Sequence, residues 1–336
     1  MTPAIRYCTT PAGRVAYSTV GSGPALLCDT GWVTHLLRQP ELTPFGSFLA
    51  ALAERFTVIR YDKPGCGLSD RDAIDLSFDG QVATALAVAD AVGVDRFSLF
   101  GASQGGQLAM AIAAHHPDRV DALVVYGTCA DGSDLAPPDI RDSIVGLVRA
   151  HWGLGLKALL GAFVTDPTAD QLAAFTELQR ASASASVAAR LLEVYYDTNV
   201  RGLLPAIEAP TAVLHREGDR GTRFELGRQV AALIPGSTLI PLPGTSHLFY
   251  YGDMEAVLQA TLGFLGGLAI LRPRLTEREY EVASLVAEGL TNQAIGSRLS
   301  VAPRTAEAHV ENIRRKLQVH SRAQIATWVT EQRGRS

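Results

Sequence analysis

The 336-residue sequence predicts an α/β domain with a mostly parallel sheet, followed by a small all-α module. Three observations carry this. Short apolar runs of strand character alternate with longer helix-period stretches. The alternation stops from about residue 131 to 210, in a stretch rich in Ala, Leu and Ser. The charge also changes sign near the end: residues 272–336 hold 11 Lys/Arg against 7 Asp/Glu, and the remainder 19 against 27. A basic tail on an acidic body suits a polyanion-binding module joined to something with a different task.

In chain order, the strand candidates are Val15–Val20, Ala25–Asp29, Thr57–Tyr61, Phe97–Gly101, Ala122–Tyr126, Thr211–Leu214 and Thr238–Pro241. Each is a short run bounded by turn residues. Helix-period stretches such as Gly80–Val92 and Gln104–Ala114 separate several of them. The interruption opens with "LAPP" and has no clear strand, so it reads as a helical lid inserted over the sheet's C-terminal edge. Its "ASASASVAA" (181–189) fits one helical turn or a loop. "GGLAILRPR" (266–274) reads as a linker, giving domains of 1–265 and 275–336.

Composition excludes several classes. Apolar residues make up 47% and charged ones 19%, an ordinary globular balance. Cys8, Cys28, Cys66 and Cys129 lie far apart with no C-x-x-C pair, so no metal site, cofactor or disulfide framework is expected. The start "MTPAIRYCTTPAGR" has no apolar h-region, and the run at 262–271 is too short to cross a bilayer. A cytoplasmic protein with no membrane partner is expected.

The chemistry centres on "FSLFGASQGGQLAM". G-x-S-x-G is weak alone, but here a buried strand precedes it and a helix follows. Such a junction forces Ser103 into a strained conformation that lifts its hydroxyl above the sheet edge. A serine needs a base, and the base needs a carboxylate to hold its tautomer. Asp219 follows one downstream strand and His247 follows the next, so all three belong on the same sheet edge. His115 and His116, which close a helix, are expected to lie on the surface without a chemical role, His215 to be structural and Cys66 to pack.

Residues 10–265 resemble the α/β-hydrolase fold. "RYDKPGCGLSD" (60–70) is similar to that family's loop after its fourth strand, and "HHPDRVDALVVYG" to its sequence after the nucleophile helix. The resemblance implies an oxyanion hole from the backbone N–H groups of Trp32 and Gln104. Where His-Gly is commoner, this chain has Thr30-Gly31. His35, in the loop after the Ala25–Asp29 strand, and Trp152, in the lid, are candidates for lining a ligand pocket.

In "SVAPRTAEAHVENIRRKL" (300–317), Ala306, Val310, Ile313 and Leu317 form one buried stripe on a helix. Thr276 with Glu279 and Ser321 with Gln324 are capping boxes that open flanking helices. The result is a small all-α four-helix module with a helix-turn-helix. Periodicity alone also fits an amphipathic dimerisation bundle. Residues 275–326 resemble the LuxR-type DNA-binding domain, most tellingly at Glu279, Gly289, Ile295, Arg304–Thr305, His309–Val310, Ile313, Lys316–Leu317 and Ser321–Arg322. The resemblance implies a homodimer on double-stranded DNA. Glu307, Ala308 and Glu311 would face base edges; Arg304, Thr305, His309, Arg315 and Lys316 would contact phosphates. Ala302 stands where a Ser N-cap is frequent, and Glu311 where neutral or basic residues are common.

The combined expectation is a transcriptional regulator whose α/β-hydrolase-like domain senses, or cleaves, a small ester, lactone or acyl ligand. The alternative is an active serine hydrolase with an accessory helix-turn-helix module. DNA retardation and ester hydrolysis discriminate the two.

Overall fold

The computed structural model describes residues 4–72, 75–165, 167–271, 275–317, 319 and 321–333; for 268–271, 277, 315, 316 and 331–333 only the backbone is described. The chain divides into two compact units, Met1–Gly263 and Phe264–Ser336.

The first unit is built on an eight-stranded sheet. Its strands are β1 (Ile5–Thr10), β2 (Gly13–Val20), β3 (Ala25–Asp29), β4 (Thr57–Tyr61), β5 (Phe97–Ala102), β6 (Val120–Tyr126), β7 (Thr211–Arg216) and β8 (Thr238–Leu242), in the spatial order β1-β2-β4-β3-β5-β6-β7-β8. The β1–β2 hairpin is antiparallel and β2 pairs antiparallel with β4; every other pair is parallel. β3, β5 and β7 are buried along their whole length, as strands between two helical layers are. β1 is the strand that sequence reading misses. It lies at the sheet edge with only Thr10 buried, so its side chains carry no alternation to detect. β8 closes the other edge, where Pro241 costs no ladder bond.

Helices α1 (Thr43–Ala53), α2 (Phe78–Val92), α3 (Gln104–His115), α8 (Phe224–Leu233) and α9 (Met254–Leu271) alternate with the strands. α3 is the most enclosed: every residue from Gln104 to Ala113 is buried, which explains its small side chains. The segment between β6 and β7 forms four helices, α4 (Pro138–Ala150), α5 (Trp152–Phe163), α6 (Ala169–Ser182) and α7 (Ala185–Asp197). α6 and α7 break within "ASASAS", where the Ser184 side chain caps α7 at Val187 N–H, 3.3 Å. The last carbonyls of α6, those of Ala181 and Ser182, each accept an Arg71 N–H at 2.7 Å, which ties the lid to the loop after β4.

α9 continues through Gly266 and Gly267, where the sequence suggests a linker, and ends at Leu271. Two helical glycines cost about 2 kcal/mol together relative to alanine. Residues 272–274 lie outside the described set.

The second unit contains α10 (Glu277–Ala287), α11 (Asn292–Leu299), α12 (Pro303–Leu317) and α13 (Arg322–Arg333). Thr276 and Glu279 complete a capping box at 2.7 and 3.2 Å, and Ser321 with Gln324 a second at 3.0 and 3.3 Å. Gly289 turns the chain after α10 with φ +83°. Val282, Val286, Ile295, Ala306, Val310, Ile313 and Ile325 form one core. The α11–α12 crossing is close: a Cβ on Gly296 would meet the Val301 carbonyl at 2.8 Å.

Candidate active site and nucleic-acid interface

Ser103 sits at the β5–α3 junction with φ +55° and ψ −123°. Left-handed backbone at a residue with a Cβ costs about 1–2 kcal/mol, so its surroundings must over-determine it. They do. Its N–H donates to the Tyr126 carbonyl at 2.9 Å; its own carbonyl accepts from Gly106 N–H at 2.9 Å and the Thr128 hydroxyl at 2.8 Å. The flanking glycines are steric necessities. A Cβ on Gly101 would lie 2.4 Å from the Gly105 carbonyl, and one on Gly105 only 2.2 Å from the Asp29 carbonyl.

Above the β5, β7 and β8 ends, three side chains bond in series. Ser103 Oγ is 2.9 Å from His247 Nε2, and His247 Nδ1 is 3.0 Å from Asp219 Oδ2. The other Asp219 oxygen accepts from Gly221 N–H at 2.8 Å and Thr222 N–H at 3.0 Å. Burial pushes the Asp219 carboxyl up. The His247 charge and hydrogen bond, the Thr222 N–H and His215 outweigh it, holding the group below the usual carboxylate value. Asp219 is therefore ionised at neutral pH and orients His247 with Nδ1–H towards itself. Nε2 is left as the acceptor facing Ser103.

His215 proves closer to this relay than sequence reading suggests. It is buried, its Nε2 donates to the Thr222 carbonyl at 2.8 Å, and that nitrogen lies 3.6 Å from Asp219 Oδ2. Burial pulls its pKa below the ordinary imidazole value, which favours the neutral form. His115 is exposed at the end of α3. Burial pushes the Cys66 and Cys129 thiols up to about 12, so both are inert packing groups.

Trp32 follows β3 and lines the cavity described below; Gln104 is the first residue of α3, where helix geometry leaves its N–H free. The Gln104 side chain donates to the Leu191 carbonyl of α7 at 3.2 Å. Beneath the Trp32 loop lies a buried ion pair invisible in the sequence. Asp29 Oδ2 meets Lys63 Nζ at 3.1 Å and the Tyr61 hydroxyl at 2.6 Å, and Lys63 also donates to Gln81 Oε1 at 3.2 Å. Asp29 Oδ1 has no protein partner.

The series opens on a cavity of about 320 Å³ between sheet edge and lid, walled largely by apolar groups such as Val33, Ile144, Leu159, Phe175, Leu192 and Phe249. Such a volume suits a small, mostly apolar ligand. His35 and Trp152 are not part of this wall. His35 folds its Nδ1 back onto the N–H groups of Leu37 and Arg38, both at 3.4 Å. Trp152 supports the wall from behind, edge-on to Trp32 at 5.8 Å with its indole N–H on the Ala183 carbonyl. Tyr195 of α7 is a wall residue the sequence does not single out. Its hydroxyl lies 4.0 Å from Cys129 Sγ; burial raises its pKa well above that of an ordinary phenol, keeping it a proton donor.

In the second unit, α12 buries Ala306, Val310, Ile313 and Leu317. Arg304, Thr305, Glu307, Ala308 and Glu311 are exposed and His309 half-buried. Glu311 pairs with Arg314 at 3.0 Å. The side chains of Arg315 and Lys316 lie outside the described set.

Comparison with known proteins agrees with both halves. Residues 24–253 match the model of the alpha/beta hydrolase fold, and residues 273–329 that of bacterial regulatory proteins of the luxR family. The chain is 28% identical over 268 residues to a putative carbamate hydrolase, RutD, of a Caulobacter species, covering 75% of this chain and 96% of that one. It is 29% identical over 263 residues to a pimeloyl-acyl-carrier-protein methyl ester esterase of Chromobacterium violaceum, covering 72% and 94%. A crystal structure of a Pseudomonas aeruginosa hydrolase superposes with TM-score 0.68 at 27% identity, covering 78% of this chain and 98% of that one. The chain belongs to the alpha/beta hydrolase fold family and carries a luxR-family helix-turn-helix domain at its C-terminal end.

Proposed function

We propose that this protein is a DNA-binding transcriptional regulator whose hydrolase-type domain binds, and cleaves, a small ester, lactone or related acyl compound. One observation carries the reading: the hydrogen-bonded series Ser103–His247–Asp219 opens on an apolar cavity in the same chain as a luxR-type domain. On this reading residues 1–265 are the sensor, with the lid at about 131–210, residues 266–274 connect, and 275–336 bind double-stranded DNA as a cytoplasmic homodimer.

The chemistry follows from the geometry. Ser103 Oγ attacks the ligand's carbonyl carbon as His247 Nε2 takes its proton. The Trp32 and Gln104 N–H groups receive the oxyanion, joined by the Tyr195 hydroxyl. Collapse expels the alcohol, which takes the proton from His247. Water, deprotonated by the same nitrogen, then releases the acid. On α12, Arg304, Thr305, His309, Arg315 and Lys316 meet phosphates while Glu307, Ala308 and Glu311 face base edges.

A short-chain p-nitrophenyl ester and the gene's own upstream DNA test the proposal together. Expected are ester turnover lost in Ser103→Ala, and specific retardation weakened by Arg315→Ala with Lys316→Ala, each lowering the salt slope by about 1. Turnover without specific retardation would favour the second reading, a serine hydrolase with an accessory tail. That reading draws on the completeness of the relay.

A further inference from the structure

We propose that the cavity contains a polar subsite, made by the side-chain amides of Gln39 and Gln179, that selects acyl ligands bearing a secondary amide. This rests on the cavity being a ligand site, and it adds the ligand's chemical class. Several buried polar atoms among the described residues lack a protein partner; of these, only Gln179 Oε1 belongs to a residue of the cavity wall. Gln179 is 95% buried on α6, one turn beyond Phe175, and its side-chain oxygen Oε1 has no hydrogen-bond partner in the protein. A buried oxygen left unpaired in this way is destabilising.

Gln39 is the counterpart. It is equally buried, and its Oε1 is already taken by Arg60 Nη2 at 2.7 Å and the His35 N–H at 3.4 Å. Two donors on that oxygen fix the amide's orientation, which leaves its NH2 as the group it can offer the cavity. The two residues come from adjoining segments: on the outer surface, Arg38, Glu41 and Leu42 share a groove with Ala174, Leu178 and Ala181. The wall therefore supplies a fixed donor beside an amide whose half-turn presents either end. A secondary amide answers both groups, its C=O accepting from Gln39 and its N–H donating to Gln179. An unbroken alkyl chain answers neither. The surrounding wall is apolar, so one amide within an otherwise aliphatic acyl chain is the matching chemistry.

The test uses methyl octanoate and isosteres in which one CH2–CH2 unit is replaced by C(O)–NH at successive chain positions. Binding is read by calorimetry on the full-length Ser103→Ala chain, so that cleavage is not required. Expected is a preference of about tenfold or more for one isostere over the octanoate, collapsing towards one in Ser103→Ala with Gln179→Leu. Gln179→Leu should also unfold at the same temperature as its parent or higher, because an unpaired buried oxygen is gone; a variant that fails to fold would show the opposite. No isostere preferred, or a preference that survives Gln179→Leu, overturns the proposal. Turnover of p-nitrophenyl octanoate by the unmodified chain is a separate arm. Its absence alongside amide-selective binding would remove the hydrolytic reading and leave the subsite standing.

Discussion

Lys63→Met should be among the most damaging single changes in the first unit, although Lys63 touches neither the cavity nor the relay. Its side chain is 1% exposed and its ammonium lies 3.1 Å from Asp29, whose own side chain is 4% exposed. Removing the ammonium leaves a buried carboxylate with the Tyr61 hydroxyl on one oxygen and no protein partner on the other. Breaking a buried ion pair on one side costs about 3–5 kcal/mol, equivalent to about 6–20 °C in Tm for a domain of this size. Asp29 immediately precedes the Thr30–Gly31–Trp32 turn, so the lesion should also reduce kcat on an ester more than it raises KM. Urea unfolding followed by tryptophan fluorescence reads the stability, because Trp32, three residues after Asp29, packs edge-on against Trp152. Adding Asp29→Asn should recover most of the loss, since two uncharged groups no longer leave a charge stranded. A loss below about 1 kcal/mol in Lys63→Met, or no recovery in the double variant, would refute the argument.

Other substitutions probe separate parts of the account. Ser103→Gly should be about 1 kcal/mol more stable than Ser103→Ala, because only the former relieves the φ of +55°; chemical denaturation compares them. His215 has a folded pKa below its unfolded value, so its contribution is present above the unfolded pKa and is lost as pH falls through the folded one. His215→Gln should therefore flatten the loss of stability below pH about 6.5, measured as Tm against pH. Tyr195→Phe should lower kcat on an ester by about tenfold with little change in KM, as expected for an oxyanion donor, and equal losses in binding would argue against that role. Ser300 adopts φ +55° at the end of α11, so Ser300→Gly should stabilise the second unit by about 1 kcal/mol, read by the helical circular-dichroism transition.

What the sequence discloses and what it conceals divide along physical lines. Ser103, Asp219 and His247 are legible because each follows a strand, and strand ends in a parallel sheet meet at one edge whatever the lid does. The α12 stripe is legible because period 3.6 marks a buried face directly. Tyr195, Gln39, Gln179 and the Asp29–Lys63 pair are not: their roles arise where segments distant in sequence pack together, and no local pattern records that. His35 and Trp152 illustrate the difference between position and orientation. Both sit on the expected elements, yet one turns its ring onto its own backbone and the other braces the wall from outside. β1 escapes notice because an exposed edge strand has no apolar face to betray it.

The claim that an occupied cavity governs DNA binding is tested most directly by labelling the full-length chain with a p-nitrophenyl alkylphosphonate. This reagent bonds to Ser103 Oγ, releases p-nitrophenolate and leaves its alkyl group in the cavity. The affinity for the gene's upstream DNA is then measured for labelled and unlabelled protein, with Ser103→Ala as the control that takes no label. A shift of about tenfold or more confined to the labelled protein is predicted, matching a coupling free energy of 1–3 kcal/mol. Stoichiometric label with unchanged DNA affinity would contradict it.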